Sequence, residues 1–257
     1  MTRLWMRTTT AVAVAGILAA CGGEGGGATP GEMAQSAGGA GVATLTGAGA
    51  TFPYPIYSKW FSDYAASHSV RVNYQSIGSG GGIRQLTEGT VDFGASDAPM
   101  TEEELAAAPG TVHIPTVIGA VAVAYNLPDL AQPLRLDGET LAAIFMGEIT
   151  RWDDARIQQL NPGVSLPDRD VLVVHRSDGS GTTFVFTEYL GEVSQAWRDR
   201  VGVGKAVNWP AGLGAKGNEG VTGQVKAAPG AIGYVEQVYA QQNDLPTAVL
   251  QNREGNF

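Results

Sequence analysis

One cysteine, three histidines and a deficit of positive charge set the first limits on this 257-residue chain. With Cys21 alone no intramolecular disulfide can form, so the core must carry stability unaided. His68, His113 and His175 are scattered at spacings that match no metal-ligand pattern, and neither a metal nor a cofactor is expected. Sixteen Lys and Arg stand against 25 Asp and Glu, a formal net charge of −9, which argues against nucleic acid as a ligand. The apolar stretch at 8–20 falls short of the roughly 20 residues a membrane span needs. Two catalytic signatures are also missing. There is no Gly-x-Ser-x-Gly elbow, so a serine hydrolase built on Ser180, His175 and Asp178 is disfavoured. No Lys follows the glycine of GSGTT at 179–183, which sets aside a nucleotide-binding P-loop. The chain is not expected to be an enzyme.

What is present begins with a targeting pattern. Arg3 and Arg7 precede the apolar stretch, which ends in Leu18-Ala19-Ala20-Cys21 followed by Gly22-Gly23. This segment resembles the lipobox of bacterial lipoproteins, in which the cysteine thiol carries diacylglycerol. The resemblance implies a signal peptide at 1–20, lipid attachment at Cys21, and a location in the periplasm or on the outer face of the cytoplasmic membrane. Residues 22–41 hold nine glycines and almost no large apolar side chain, too little buried surface to offset ordering entropy, so 21–41 reads as a flexible tether. Loss of 1–20 removes two arginines and no acid, leaving a still more acidic body. An anion receptor with such a body has to rely on local dipoles and one or two fixed cations.

From Val42 onward the pattern alternates short strands with helices. Strands are expected at 42–45, 70–74 (period two), 91–96, 117–125 (a nearly continuous apolar run), 171–174 and 231–235. Helices are expected at about 53–66, after the glycines of 77–82, at 139–146, 153–160, up to about 190, and at 218–227, where Pro229-Gly230 stops the last. This order argues α/β with largely parallel sheets. Trp60, Trp152, Trp197 and Trp209 read as packing residues.

The chemistry is expected where strands run into helices. Three junctions share one design: TGAGATF at 46–52, IGSG at 77–80, and RSDGSGTT at 176–183. Helix N-termini leave free N–H groups and about half a positive charge, glycine admits an anion to the backbone, and Ser and Thr add hydroxyl donors. Each feature also has a plain structural use. Thr51 or Ser180 can cap a helix, Asp97 can close a turn, and Arg176 can pair with Asp178.

The segments TGAGATFP at 46–53, VDFGASDAP at 91–99, PTVIG at 115–119, DGSGT at 178–182 with FVF at 184–186, and GAIGYVE at 230–236 resemble the periplasmic phosphate-binding proteins of high-affinity phosphate ABC transporters. The resemblance runs from about Val42 to the end. It implies a two-lobed α/β class II periplasmic-binding-protein fold with hinge strands, a first lobe at 42–117 and a second at 118–257. It also implies inorganic phosphate as ligand, permease and ATPase subunits as partners, and a monomer. Carried over by motif, the phosphate-binding residues are Ala50, Thr51, Phe52, Ser79, Asp97, Arg176, Ser180, Gly181 and Thr182, with Asp178 holding Arg176. Asp97 would accept the proton of hydrogen phosphate. That counts against the alternative reading, a receptor of the same fold for sulfate or molybdate. The family's chain returns to complete the first lobe, so a C-terminal part is expected to be missing here.

Overall fold

The computed structural model describes residues 42–257. The signal-like segment, Cys21 and the Gly-rich stretch lie outside the described residues.

The first part is a three-stranded parallel sheet with its helices. It runs β1 (Ala43–Gly49), α1 (Tyr54–Ser67), β2 (Val70–Ser76), α2 (Ser79–Thr87) and β3 (Phe93–Ala95), in the spatial order β2-β1-β3. β2 keeps the strict alternation its sequence announces, every second residue half-buried. β1 runs further than expected, through Gly47, Ala48 and Gly49, because its neighbours come too close for side chains. A Cβ on Gly47 would lie 2.1 Å from the Phe93 ring, and one on Gly49 would lie 2.1 Å from the Ala95 carbonyl oxygen.

The same crowding places the glycines of 80–82 inside α2, where the sequence suggests a turn before the helix. Each helical glycine costs roughly 1 kcal/mol relative to alanine. Here the cost is offset by contact, since a Cβ on Gly82 would sit 2.4 Å from the Gly49 Cα. A short helix, α3 (Glu102–Ala107), follows, its start fixed by a reciprocal cap between Thr101 and Glu104.

The second part is built on β4 (Val121–Tyr125), β5 (Arg135–Leu136), α4 (Gly138–Phe145), α5 (Ala155–Leu160), β6 (Leu172–Arg176), α6 (Gly181–Val193), α7 (Gln195–Arg200), β7 (Leu213–Ala215), α8 (Gly217–Ala227), β8 (Ala231–Glu236), α9 (Gln237–Gln242) and β9 (Val249–Leu250). Its four-stranded sheet has the order β4-β8-β6-β7, with β6 parallel to both neighbours and β4 antiparallel to β8. β5 and β9 form a separate parallel pair. β8 is central and buried along its whole length. Trp152 and Trp197 lie fully buried in the core beside it, and the Trp152 indole N–H donates to the Gly230 carbonyl at 2.9 Å.

Two expectations are corrected. The apolar run at 117–125 is a strand only from Val121, where pairing with Glu236 begins; Ile118 is 98% exposed. Trp60 is not a packing residue of the core but a surface one, 43% exposed on α1. The sheet of the first part and the sheet of the second share no strand, and strand-to-helix junctions of both meet at one place.

Candidate functional site

β6 delivers Arg176 to its C-terminal end, and the chain then turns through Asp178 and Gly179 into α6. The guanidinium is 3% exposed. Its Nε donates to Asp178 Oδ1 at 2.7 Å, and its Nη2 donates to Asp178 Oδ2. The Gly217 N–H donates to the same carboxylate at 3.0 Å. Burial works to raise the Asp178 pKa, but Arg176 and the Gly217 amide outweigh it and hold the carboxyl below its ordinary value. One face of the fork remains: Arg176 Nη1 is buried without a hydrogen-bond partner. A buried guanidinium N–H left unpaired is costly, so this atom marks where an acceptor belongs.

The other polar side chains come from the three junctions. Ser180 caps α6, its Oγ accepting from the Thr183 N–H at 3.0 Å, while its own N–H is held by the Lys205 carbonyl at 2.8 Å. Its offering to the cage is therefore the hydroxyl proton, not the amide. Ser79, at the start of α2, accepts from the Gly181 N–H at 2.9 Å and from the Asp97 N–H at 3.4 Å. Thr182 Oγ1 donates to Asp97 Oδ2 at 3.1 Å. A Cβ on Gly181 would lie 2.5 Å from the Asp97 Cβ, so α6 reaches Asp97 only with glycine there. Gly78, with φ at +90°, admits Asp178 just as closely: a Cβ would meet its Oδ2 at 2.2 Å.

The turn before α1 supplies Thr51, 2% exposed. The Thr51 and Phe52 amides enter no hydrogen bond among the described residues. Ala50 differs from its expected role. Its N–H donates to the Ala95 carbonyl at 2.8 Å and its carbonyl accepts from the Tyr74 hydroxyl at 2.7 Å, so it offers no free main-chain group and instead fixes the turn. Of the remaining expected residues, Ser79, Asp97, Gly181 and Thr182 are joined by hydrogen bonds, Thr51 is tied to Thr182 through Asn218, and Asp178 pairs with Arg176.

Three residues outside the sequence expectation complete the wall. Asn218, fully buried at the start of α8, contacts both Thr51 and Thr182. The Tyr239 hydroxyl donates to the Thr51 carbonyl at 2.6 Å. The Tyr234 hydroxyl accepts from the Arg176 N–H at 3.1 Å, and burial pushes its pKa up to about 12. The run GAKGNEG at 214–220 is a fourth strand-to-glycine-to-helix junction, and it is the signal by which Asn218 was findable. His175 takes no part: its ring stacks on Trp209 at 4.8 Å and its Nδ1 bonds the Arg176 carbonyl. No cluster suited to a metal ion exists among the described residues.

These residues bring together the Arg176 cation, hydroxyl and amide donors, and the Asp97 carboxylate as an acceptor. Burial pushes the Asp97 pKa up to about 6, against the opposing pull of the Thr182 hydroxyl and Arg176. A pH signature follows. A carboxyl with a raised folded-state pKa stabilises the fold fully below its unfolded value, about 4, and loses that contribution as pH rises through about 6. Asp97→Asn removes this slope. The variant's melting temperature is expected to exceed that of the parent near neutral pH, the gap closing below about pH 4. A gap that is constant with pH would assign the slope to other groups.

The model of the PBP superfamily domain matches residues 34–255. The phosphate-binding protein PstS of Pasteurella multocida is 54% identical over 215 residues, 83% of this chain and 62% of that protein. PstS3 of Mycobacterium bovis is 38% identical over 250 residues, covering 93% of this chain and 67% of that protein. The chain thus spans about 60% of the length of the first of these relatives. Among solved structures, an ABC-type phosphate transport receptor from Vibrio cholerae superposes with a TM-score of 0.54 at 22% identity, over 82% of this chain and 78% of that one. A human phosphate-binding apolipoprotein superposes with a TM-score of 0.63 at 22% identity, over 80% and 61%. These two carry the fold alone. With the superfamily model matched over most of its length and close relatives so named, the chain belongs to the PBP superfamily, in the family of the phosphate-binding proteins.

Proposed function

We propose that the protein is an extracytoplasmic receptor that binds inorganic phosphate and hands it to an ABC importer. The observation that carries this reading is the orphaned Nη1 of buried Arg176, at the end of the strand that leads into the 180–182 turn, where Gly181 and Thr182 are bonded to Ser79 and Asp97. A doubly charged oxyanion takes up all the donors, and its one proton satisfies the carboxylate. The acidic body is no obstacle, because helix N-termini and hydroxyls solvate the anion without a high positive field. Relatives named phosphate-binding proteins support the same ligand. The role proposed is binding rather than catalysis, in keeping with a His175 engaged by Trp209 and the Arg176 carbonyl. The ligand set proposed is Thr51, Phe52, Ser79, Asp97, Arg176, Ser180 and Thr182, with Ala50 shaping the turn, Gly181, expected as a ligand, giving its N–H to Ser79 instead, and Asp178 orienting Arg176. The first and second lobes, at 42–117 and 118–257, each supply part of it, so release requires them to separate.

The reading is tested by thermal unfolding in phosphate. Ligand at about 100 times its dissociation constant stabilises the bound form by roughly 2.7 kcal/mol, so the melting temperature rises with phosphate concentration. A melt unmoved by millimolar phosphate contradicts it. The receptor is further proposed to act as a monomer tethered through 21–41 by a lipid on Cys21. Cys21→Ser is expected to move the protein from the membrane fraction of its host to the soluble extracytoplasmic fraction with phosphate binding intact. A wild-type protein already soluble and unlipidated there would remove the anchor from the account.

A further inference from the structure

The Asn218 side chain makes three hydrogen bonds, and each has a direction. The Glu236 N–H, on β8, donates to Asn218 Oδ1 at 2.9 Å. A backbone N–H can only donate, so the oxygen of the amide has to face β8 and the NH2 has to face the cage. The two amide hydrogens then go to two hydroxyls from opposite sheets, Thr51 Oγ1 at 2.7 Å and Thr182 Oγ1 at 3.3 Å. Asn218's own N–H also donates to Thr51 Oγ1, at 3.1 Å.

A hydroxyl has one proton and two lone pairs. At Thr51 both lone pairs are occupied by donors from Asn218, so the Thr51 proton has no inward acceptor and turns into the cage. At Thr182 the amide fills one lone pair, and the proton goes to Asp97 Oδ2 at 3.1 Å. That leaves Asp97 Oδ1 to face the ligand. Ser79 is treated the same way by the Gly181 and Asp97 amides, which together occupy its oxygen. The hydroxyls thus reach the anion with their protons already aimed, and no rotor has to be ordered at binding.

We propose that Asn218 is a positioning residue that sets the proton direction of the anion cage, making Thr51 an obligate donor to the ligand and Thr182 an obligate donor to Asp97. It touches no ligand itself. It works from 0% exposure through the two threonines, and its anchor on β8 ties them to the central strand of the second sheet. The proposal rests on the anion-receptor reading above and adds to it a residue whose chemistry is orientation.

Asn218→Asp tests it, because the shape is kept while a donor becomes an acceptor. The Thr51 proton is then drawn inward to the new carboxylate, the cage loses a donor, and Thr182 loses its oriented partner. Calorimetric titration of the full chain with inorganic phosphate is expected to show at least a 30-fold loss of affinity for N218D, with a cooperative melt retained. A second test covers a variant that does not fold well. Asn218→Ala should cost about tenfold in the parent but less than threefold in a Thr51→Val background, where there is no proton left to aim. A merely structural Asn218 would cost the same in both backgrounds. N218D within threefold of the parent, or equal N218A costs in the two backgrounds, overturns the proposal. Failure of the parent itself to bind phosphate would instead overturn the receptor reading, so the two failures are distinguishable.

Discussion

Arg176→Ala is expected to weaken phosphate binding by about two to three decades. The guanidinium is almost fully buried with Nη1 unpaired, so water cannot replace it. Its loss also leaves Asp178 without its two Arg176 bonds, directly behind the anion. Breaking a buried pair by removing one partner costs about 3–5 kcal/mol, because an uncompensated charge stays inside. Arg176→Lys should recover little. A single ammonium can satisfy Asp178 or reach the anion, whereas the planar fork does both at once. Calorimetric titration of phosphate into each variant, with melting curves as a control for folding, measures the effect. An affinity within threefold of the parent would place Arg176 outside the binding site.

Asp97→Asn is expected to change selectivity more than affinity. In the proposed site hydrogen phosphate would donate its proton to Asp97 Oδ1, whereas sulfate would present only acceptors and be repelled. A site built to pair a ligand proton rejects an analogue lacking it by about 10⁴-fold or more. The asparagine amide can donate, so the variant should admit sulfate and the phosphate-to-sulfate affinity ratio should narrow by orders of magnitude. The raised Asp97 pKa, about 6, adds a second signature. Below that pH the parent carboxyl is itself a donor, and its discrimination against sulfate should weaken, while that of the variant should not respond. Titration of both anions into both proteins at pH 8 and pH 5 decides it. An unchanged ratio in the variant would locate discrimination elsewhere in the cage.

Much of this site was legible because its chemistry is concentrated in contiguous motifs. A Ser or Thr beside glycines at a strand-to-helix junction has few other purposes when three such junctions occur together, and Ser79, Asp97, Gly181 and Thr182 do meet. The alternation of β2 and the apolar β8 were readable for the same local reason. What local pattern could not carry was direction and crowding. Nothing in the string says that the Ala50 and Ser180 amides are taken by the Ala95 and Lys205 carbonyls, which are far along the chain. The glycines of 80–82 read as a turn by propensity, yet they lie in α2 because Gly49 and Gly179 press against them. Val117 and Ile118 look like buried strand but lie outside the ladder that starts at Val121. Asn218 sits in a fourth junction with neither Ser nor Thr, and its importance depends on bonds to Thr51 and Glu236, 167 and 18 residues away.

The proposed function requires one inorganic phosphate bound at Arg176. Equilibrium dialysis of the purified protein against radiolabelled phosphate at pH 8, with a large excess of unlabelled sulfate present, tests it most directly. The account predicts saturable binding of one phosphate per chain that sulfate does not displace. No saturable binding at millimolar phosphate, or displacement by sulfate at comparable concentration, would contradict it.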